Sequence, residues 1–161
     1  MGGGSGFRLT HLIFDSIFRL CVWFRIPTCS LRHCGGARGP AAACSWLCLH
    51  RAHDPLMGMA LWSEYQDLLG RPEVWQDSQT TPQQRQVILE AFAAVAIWVQ
   101  IWFAWRPNLP DEGDNHLVEL ALNGNAGALV TFNTRDFQSP EMLPRGLDIV
   151  TPGAFVKKYP V

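Results

Sequence analysis

Residues 105–137 read WRPNLPDEGDNHLVELALNGNAGALVTFNTRDF, and the order of signals in this stretch decides the fold. Asp111, Glu112 and Asp114 crowd its front. Leu117, Val118, Ala121 and Leu122 then recur at the spacing of one helical face, and NGNAG supplies the stop. The run ALVTF, Ala128 to Phe132, has the apolar, β-branched character of a short buried strand. Asn133 and Asp136 follow it at once. A helix, a tight break and a buried strand make half of a parallel α/β unit. In open parallel sheets, sites form beyond the carboxyl ends of the strands, where oxygen-bearing side chains gather here.

Working upstream, the same alternation continues. MALWSEYQDLLG sets Leu61, Tyr65, Leu68 and Leu69 at helical spacing, with Gly70 and Pro72 as a stop, and predicts a helix from about Ala60 to Leu69. TTPQQRQVILEAFAAVA predicts a second helix, capped by Thr81, opened by Pro82, and packing through Val87, Ile88, Phe92 and Val95. IWVQIWFAW is expected to be a strand after that helix stops near Ala96, with its Trp residues used for packing. The wider run Ala91 to Trp105 is the most apolar in the chain, but it is shorter than the ~20 residues that span a bilayer, and reads as buried core. Downstream, LDIVTPGAFVKKY predicts a strand at Ile149 and Val150, then a helix capped by Thr151 with Pro152 in its first turn. Strands alternating with helices imply an α/β domain with a mostly parallel sheet covered on both faces.

The 161 residues suit one domain with its own core. Thirteen basic against fourteen acidic residues leave a net charge of -1, so no global basic field draws in nucleic acid. The first 45 residues differ from the rest. MGGGSG opens them, HCGGARGPAAA nearly closes them, and the aromatic, Arg and Cys residues between follow neither period. We expect residues 1–45 to be an atypical, poorly ordered segment and 46–161 to be the domain. All five cysteines lie within the first 48 residues: Cys21, Cys29, Cys34, Cys44 and Cys48. A zinc site would use the last four with His33, His50 and His53, but their gaps lack the close C-x2-C pairing of most structural sites. LTHLIFDSIFRLCVWFRI, broken by Asp15 and Arg19, does not form an export signal.

Oxygen ligands without an evident His or Cys partner set suit Mg²⁺ or Mn²⁺. Such ions assist phosphodiester cleavage, often in pairs about 3.5–4 Å apart. The candidates are Glu64, in mid-helix among apolar neighbours, Asp114, and Asp136 with Asn133. Each has an ordinary reading too. Asp114 stands where a helix N-cap would, Asp111 and Glu112 suit a solvated loop, Glu64 suits a helix surface, and Asp136 could pair with Arg135. His116 reads as a helix-surface residue. No Ser/His/Asp triad or phosphate-cradling GxxxxGK loop is present.

Three segments in order, PLMGMALWSEYQDLLGRPEV, WRPNLPDEGDNHLVELAL and ALVTFNTRDF, resemble the PIN-domain nucleases from about Pro55 onward, closest to the toxin components similar to VapC ribonucleases. The resemblance implies a three-layer α/β/α sandwich, Mg²⁺ or Mn²⁺ as cofactor, and cleavage of single-stranded regions of RNA. It also implies a cognate antitoxin protein as partner, a homodimer, a cytoplasmic setting and no membrane association. Carried over residue by residue, it makes Glu64, Asp114 and Asp136 catalytic metal ligands. Asn133 becomes an auxiliary ligand where other PIN proteins often have Asp. Beside that set, Arg106 and Arg135 are candidates for contact with RNA phosphate, each reading equally well as a structural ion-pair partner. The alternative is a non-catalytic remnant that keeps only an antitoxin-binding or dimerisation surface.

One part of the pattern is absent. PIN domains open on a strand ending in Asp-Thr-Asn, whose Asp ligates metal, and FDSIF around Asp15 does not match it, so the first strand is missing or altered. A shifted reading frame accounts for this. Starting on the third base of the Arg25 codon, permitted codons for Arg25 to Cys34 regroup as GAT ACC AAC GTG TTC GTT GCG GCA CTG, which spells DTNVFVAAL. The final Leu is forced and the Val position admits only Leu, Met or Val. We therefore expect residues before about 35 to 45 to be translated out of the ancestral frame, the clustered cysteines being its by-product. The gene sequence checks this directly: the alternate frame should read Asp-Thr-Asn across Arg25 to Thr28, and codons incompatible with it end the idea.

Overall fold

The computed structural model describes residues 22–25, 44, 48–49, 51–75, 81–104, 109, 111–137 and 146–159. The strands are β1 (Val22–Arg25), β2 (Asp54–Met57), β3 (Ile97–Trp98), β4 (Ala128–Val130) and β5 (Asp148–Val150). The helices are α1 (Met59–Leu69), α2 (Pro82–Val95), α3 (Asn115–Asn123) and α4 (Pro152–Lys158). The sheet order is β3-β2-β1-β4-β5.

β2 pairs with β3 in parallel, as β4 does with β5, while β1 is antiparallel to both β2 and β4. Four strands thus share one direction and the central strand opposes them. The expectation of a mostly parallel sheet holds for those four and is corrected at β1. Register sets Val22 beside Val130 and Arg25 beside Asp54, so the amino end of β1 lies at the end of the sheet where β4 finishes. The α/β character is as expected.

Local chemistry explains each helix. α2 starts in a capping box, Thr81 Oγ1 accepting from Gln84 N at 3.2 Å while Gln84 Oε1 accepts from Thr81 N at 2.9 Å. α4 starts the same way at one remove, Ala154 N donating to Thr151 Oγ1 at 3.2 Å. α3 ends in a Schellman arrangement: Ala126 N donates to Ala121 O at 2.9 Å and Asn125 N to Leu122 O at 3.2 Å. Asn125, not a glycine, takes the left-handed position, at φ 51.

Leu56, Met57, Leu61, Tyr65, Leu89, Phe92, Leu117, Val118, Leu120, Leu129 and Phe155 form the core between helices and sheet. Burying each large side chain contributes about 1.5–3 kcal/mol. Trp75 closes one end, its indole N–H donating to Leu68 O at 2.8 Å while the Arg85 guanidinium lies 4.5 Å from its ring centre. At the other edge, Asp148 of β5 receives Lys158 Nζ at 2.6 Å and the Tyr159 hydroxyl, tying the end of α4 to the sheet. These two donors hold the Asp148 carboxyl below its usual range.

Three expectations are corrected. Among the described residues of IWVQIWFAW, only Ile97 and Trp98 form a strand. Beyond it Ile101, Trp102 and Phe103 are exposed, so this part of the Ala91 to Trp105 run is surface and not core. α2 packs through Arg85, Leu89, Phe92 and Ala93, while Val87 is 62% exposed. Phe92 is buried as expected, and Arg85, stacked on Trp75, joins the buried face. Among the described residues no helix is long and apolar enough to cross a membrane.

Gly124 reports how tightly α3 is seated. A Cβ there would stand 2.4 Å from Leu56 Cδ1, 3.0 Å from Leu120 O and 3.2 Å from Val99 Cγ2. Gly124→Val should therefore destabilise by about 1–3 kcal/mol through overpacking, read as a fall of roughly 3–10 °C in the melting temperature. An unchanged melt would mean that α3 is not held against β2.

Candidate active site

β2 leads through Gly58 into α1, whose second turn carries Glu64. Glu64 is expected at the surface of an amphipathic helix or half buried, and it is half buried, its side chain 30% exposed. β4 leads through Thr131 into the turn that holds Asn133 and Asp136, and Asn133 Nδ2 donates to Asp136 Oδ2. The third contribution precedes α3. There the Asp111 carboxylate accepts from Gly113 N at 2.9 Å and so caps the short 3-10 turn Glu112–Asp114. Asp114 makes no capping hydrogen bond. The capping task falls to Asp111, leaving the Asp114 carboxylate uncommitted.

Asp114 is where the elements meet electrostatically. Burial raises its pKa first, and the negative charges of Asp111, Glu64 and Asp136 raise it further, with His116 the one opposing influence. The carboxylates singled out on three separate segments thus act on one position. Among the described residues, however, no three His, Cys, Asp or Glu side chains are arranged to hold one metal ion. Asp136 is engaged by Asn133, and Glu64 by a residue read as ordinary surface.

That residue is His116, and its reading is corrected: its side chain is only 17% exposed and its Nε2 stands 3.1 Å from Glu64 Oε2. On the other side its Nδ1 is 2.6 Å from Gly113 O. A carbonyl only accepts, so Nδ1 carries the proton, and in a neutral ring Nε2 would then turn a lone pair toward a carboxylate. Protonation removes that conflict. Burial pulls the His116 pKa down, but Glu64, the Gly113 carbonyl and Asp114 together outweigh it and the net shift is upward. The Nε2 and Oε2 atoms are both shut from solvent without a hydrogen bond, so the contact is an ion pair of poor hydrogen-bond geometry. The helical spacing of Leu117, Val118 and Ala121 marked the buried face of α3, and His116 lies at its border. Only the placement of α1 beside that border brings Glu64 to it.

The remaining candidates differ in exposure. Arg135 and Asn133 are exposed, and Asp111 and Glu112 are exposed as well, which fits the solvated-loop reading of those two. Arg106 lies outside the described residues, as do Asp15, Cys29, Cys34, His33 and His50. The zinc reading gains no support from the described members. Cys44 and Cys48 are core residues, the Cys44 thiol donating to Pro152 O at 3.6 Å, and burial pushes the Cys48 thiol well up, into an unreactive range. Glu119, not singled out by the sequence, is a further buried carboxylate on α3.

Comparison with known families decides the ancestry: residues 33–135 match the family model described as PIN domain. The chain belongs to the PIN-domain family. The match covers well over half the chain, begins upstream of Pro55, and opens at the tail of the Arg25 to Cys34 segment whose alternate frame spells DTNVFVAAL. A PIN domain is a nuclease-related α/β fold, and members of the family generally use divalent metals. No curated protein and no solved structure matches.

For hard cations the donor chemistry of this PIN domain fits. Glu64 Oε2 is buried without a hydrogen bond though ion-paired with His116 Nε2, Asp114 is free of capping duty, and both are oxygen ligands. The central strand contributes none, because β1, Val-Trp-Phe-Arg, has no carboxylate and runs the wrong way to deliver one from its carboxyl end.

Two linked pH effects follow. His116 has a raised folded pKa, so the stability it contributes is complete below about 6.5 and is lost as pH rises through the higher folded value. His116→Gln should lower the melting temperature at pH 5.5 and leave it nearly unchanged at pH 9. Asp114 also titrates higher when folded, so its carboxyl favours the fold only while protonated, and that contribution disappears as pH rises through the raised value. In metal-free buffer at pH 7, Asp114→Asn should then be slightly more stable than the parent, by about a few tenths of a kcal/mol after solvent screening. A loss of stability in Asp114→Asn would show that the carboxylate is instead a structural partner.

Proposed function

We propose that this PIN domain is a divalent-metal-dependent endoribonuclease acting on single-stranded regions of RNA, the toxin of a VapC-like toxin-antitoxin pair in the cytoplasm, with impaired turnover in the present chain. Its architecture is taken as the three-layer α/β/α sandwich. The observation that carries the reading is the match of residues 33–135 to the PIN-domain family model, supported by an Asp114 carboxylate free of capping duty whose pKa is raised first by burial and then by Asp111, Glu64 and Asp136. A fold that keeps this repulsion at strand ends gains from a cation there.

Glu64, Asp114 and Asp136 would hold Mg²⁺ or Mn²⁺, with the Asn133 amide as an auxiliary oxygen donor. A bound cation supplies charge neutralisation on the phosphodiester and acidifies a water. The side chains do the rest. His116 orients Glu64 from one side, and Asn133 orients Asp136 from the other. Arg135, exposed beside Asp136, is available to a phosphate oxygen, and Arg106 is given the same role. A cognate antitoxin would act by filling the groove that these residues line.

The impairment rests on β1. A reversed central strand without an acidic residue leaves the set one ligand short of the family pattern, in keeping with the out-of-frame reading of the N-terminus. The same feature favours the second reading, a non-catalytic remnant that binds antitoxin but not metal.

Manganese titration of the full chain, followed by cleavage of a single-stranded RNA in Mg²⁺, separates the two. The expected result is saturable Mn²⁺ binding that weakens at least tenfold in Glu64→Gln and in Asp114→Asn, with slow cleavage falling in parallel. Replacing residues 26–34 by the sequence DTNVFVAAL should raise the rate by at least tenfold. Absence of Mn²⁺ binding, together with antitoxin bound tightly, would establish the remnant. Cleavage indifferent to both substitutions would refute the ligand assignment.

A further inference from the structure

A groove of about 530 Å³ lies between the start of α1 and the chain that leaves β3, lined by Met59, Ala60, Trp98, Val99, Gln100 and Ile101. That is the volume of a small-molecule site, with room for a base and its ribose. None of the six residues is charged. Its place along α1 ties the groove to the carboxylates. Ala60 and Glu64 are four residues apart in the helix, so they share one face at about 5–6 Å between Cβ atoms. A phosphate met at Glu64 and the base of the same nucleotide are separated by a comparable distance.

The wall of the groove is aromatic and fixed. Val99 N donates to Met57 O at 2.8 Å, which holds the segment to β2 one residue past the end of β3. Trp98 donates its indole N–H to Ala93 O at 3.2 Å and meets the Trp62 ring edge-on at 5.8 Å, yet it stays 48% exposed. Ile101 leads directly into Trp102, whose side chain is open although its backbone N–H donates to Asn123 Oδ1 at 2.8 Å. Aromatic faces displayed on an ordered backbone lose little freedom when covered. Such faces are the stacking platforms on which single-stranded nucleic acid lays its bases. Gln100, exposed, is the one lining residue with a polar side chain, and its amide offers a donor and an acceptor to the edge of a base.

We propose that this groove is a nucleobase subsite of the nuclease: the base adjoining the cleaved phosphodiester stacks on Trp98, Gln100 reads its edge, and Trp102 receives the following base. The assignment rests on the reading of Glu64 and its companions as the cleaving site. The chemistry of the lining selects a base over the other parts of a strand. A phosphate would find no cation among the six residues and ribose hydroxyls would meet a single amide, whereas a flat, uncharged ring covers an uncharged aromatic wall. The position selects the substrate over a separate partner, because whatever fills the groove stands one helical turn from Glu64.

Fluorescence anisotropy of labelled hexaribonucleotides, read in EDTA, tests the subsite without metal or turnover, so it can fail while the nuclease reading stands, and the reverse. The full chain should bind base-bearing single strands at least tenfold more tightly than an abasic strand of the same length. Trp98→Leu and Trp102→Ala should each remove most of that difference with unchanged circular dichroism, and leave the affinity for the abasic strand as it was. Gln100→Ala, at an exposed position that the fold does not need, should level the preference among adenine, cytosine and uracil hexamers. Equal affinity for abasic and base-bearing strands, or a difference indifferent to both tryptophan substitutions, would overturn the subsite and leave the groove to a protein occupant.

Discussion

The short helix α3 cannot stand at the surface. Leu117, Val118, Leu120 and Ala121 are all essentially inaccessible, Asn115 and Glu119 are buried with them, and nearly the whole circumference of the first two turns must therefore be covered. Covering it takes β2 and the α1 helix, with Gly124 allowing Leu56 to approach where any side chain would intrude. Everything of functional interest hangs on that burial. It draws the turn before α3 down against α1, so His116 Nε2 comes to stand 3.1 Å from Glu64 Oε2.

The same burial explains why the site is electrostatically tense. Asp111, Asp114 and Asp136 sit in turns beside element ends, while Glu64 projects from the second turn of α1. Asp111 is absorbed by capping, Asp136 by Asn133, and Glu64 by the His116 imidazolium. Asp114 is left carrying the repulsion. Members of the PIN-domain family, to which the chain belongs, generally use divalent metals. The reversed β1 between β2 and β4 is the local exception. It fills the central gap with backbone hydrogen bonds and supplies no oxygen ligand.

A second consequence lies at the β3 edge. Asn123 terminates α3 and at the same time pins Trp102 and Phe103, so the helix that organises the carboxylates also fixes the exposed aromatic strap. The carboxylate face and the apolar edge are thus two ends of one packed unit.

Local patterns were legible from the chain alone because they depend on neighbours a few residues away. The Thr81 and Thr151 caps, the α1 and α3 helices and the ALV strand are written in short-range spacing and cap chemistry, and the ordered motifs at Glu64, Asp114 and Asp136 pointed to one region. Direction, burial and partnership were decided only by tertiary structure. Nothing in VWFR reveals that it opposes its neighbours, for strand polarity is set by pairing. Nothing in IWVQIWFAW reveals that its aromatics face outward, because apolar character is the same in a core and at a binding surface. His116 looked ordinary until α1 was laid against α3, for an ion pair across 52 positions exists only once the chain has folded.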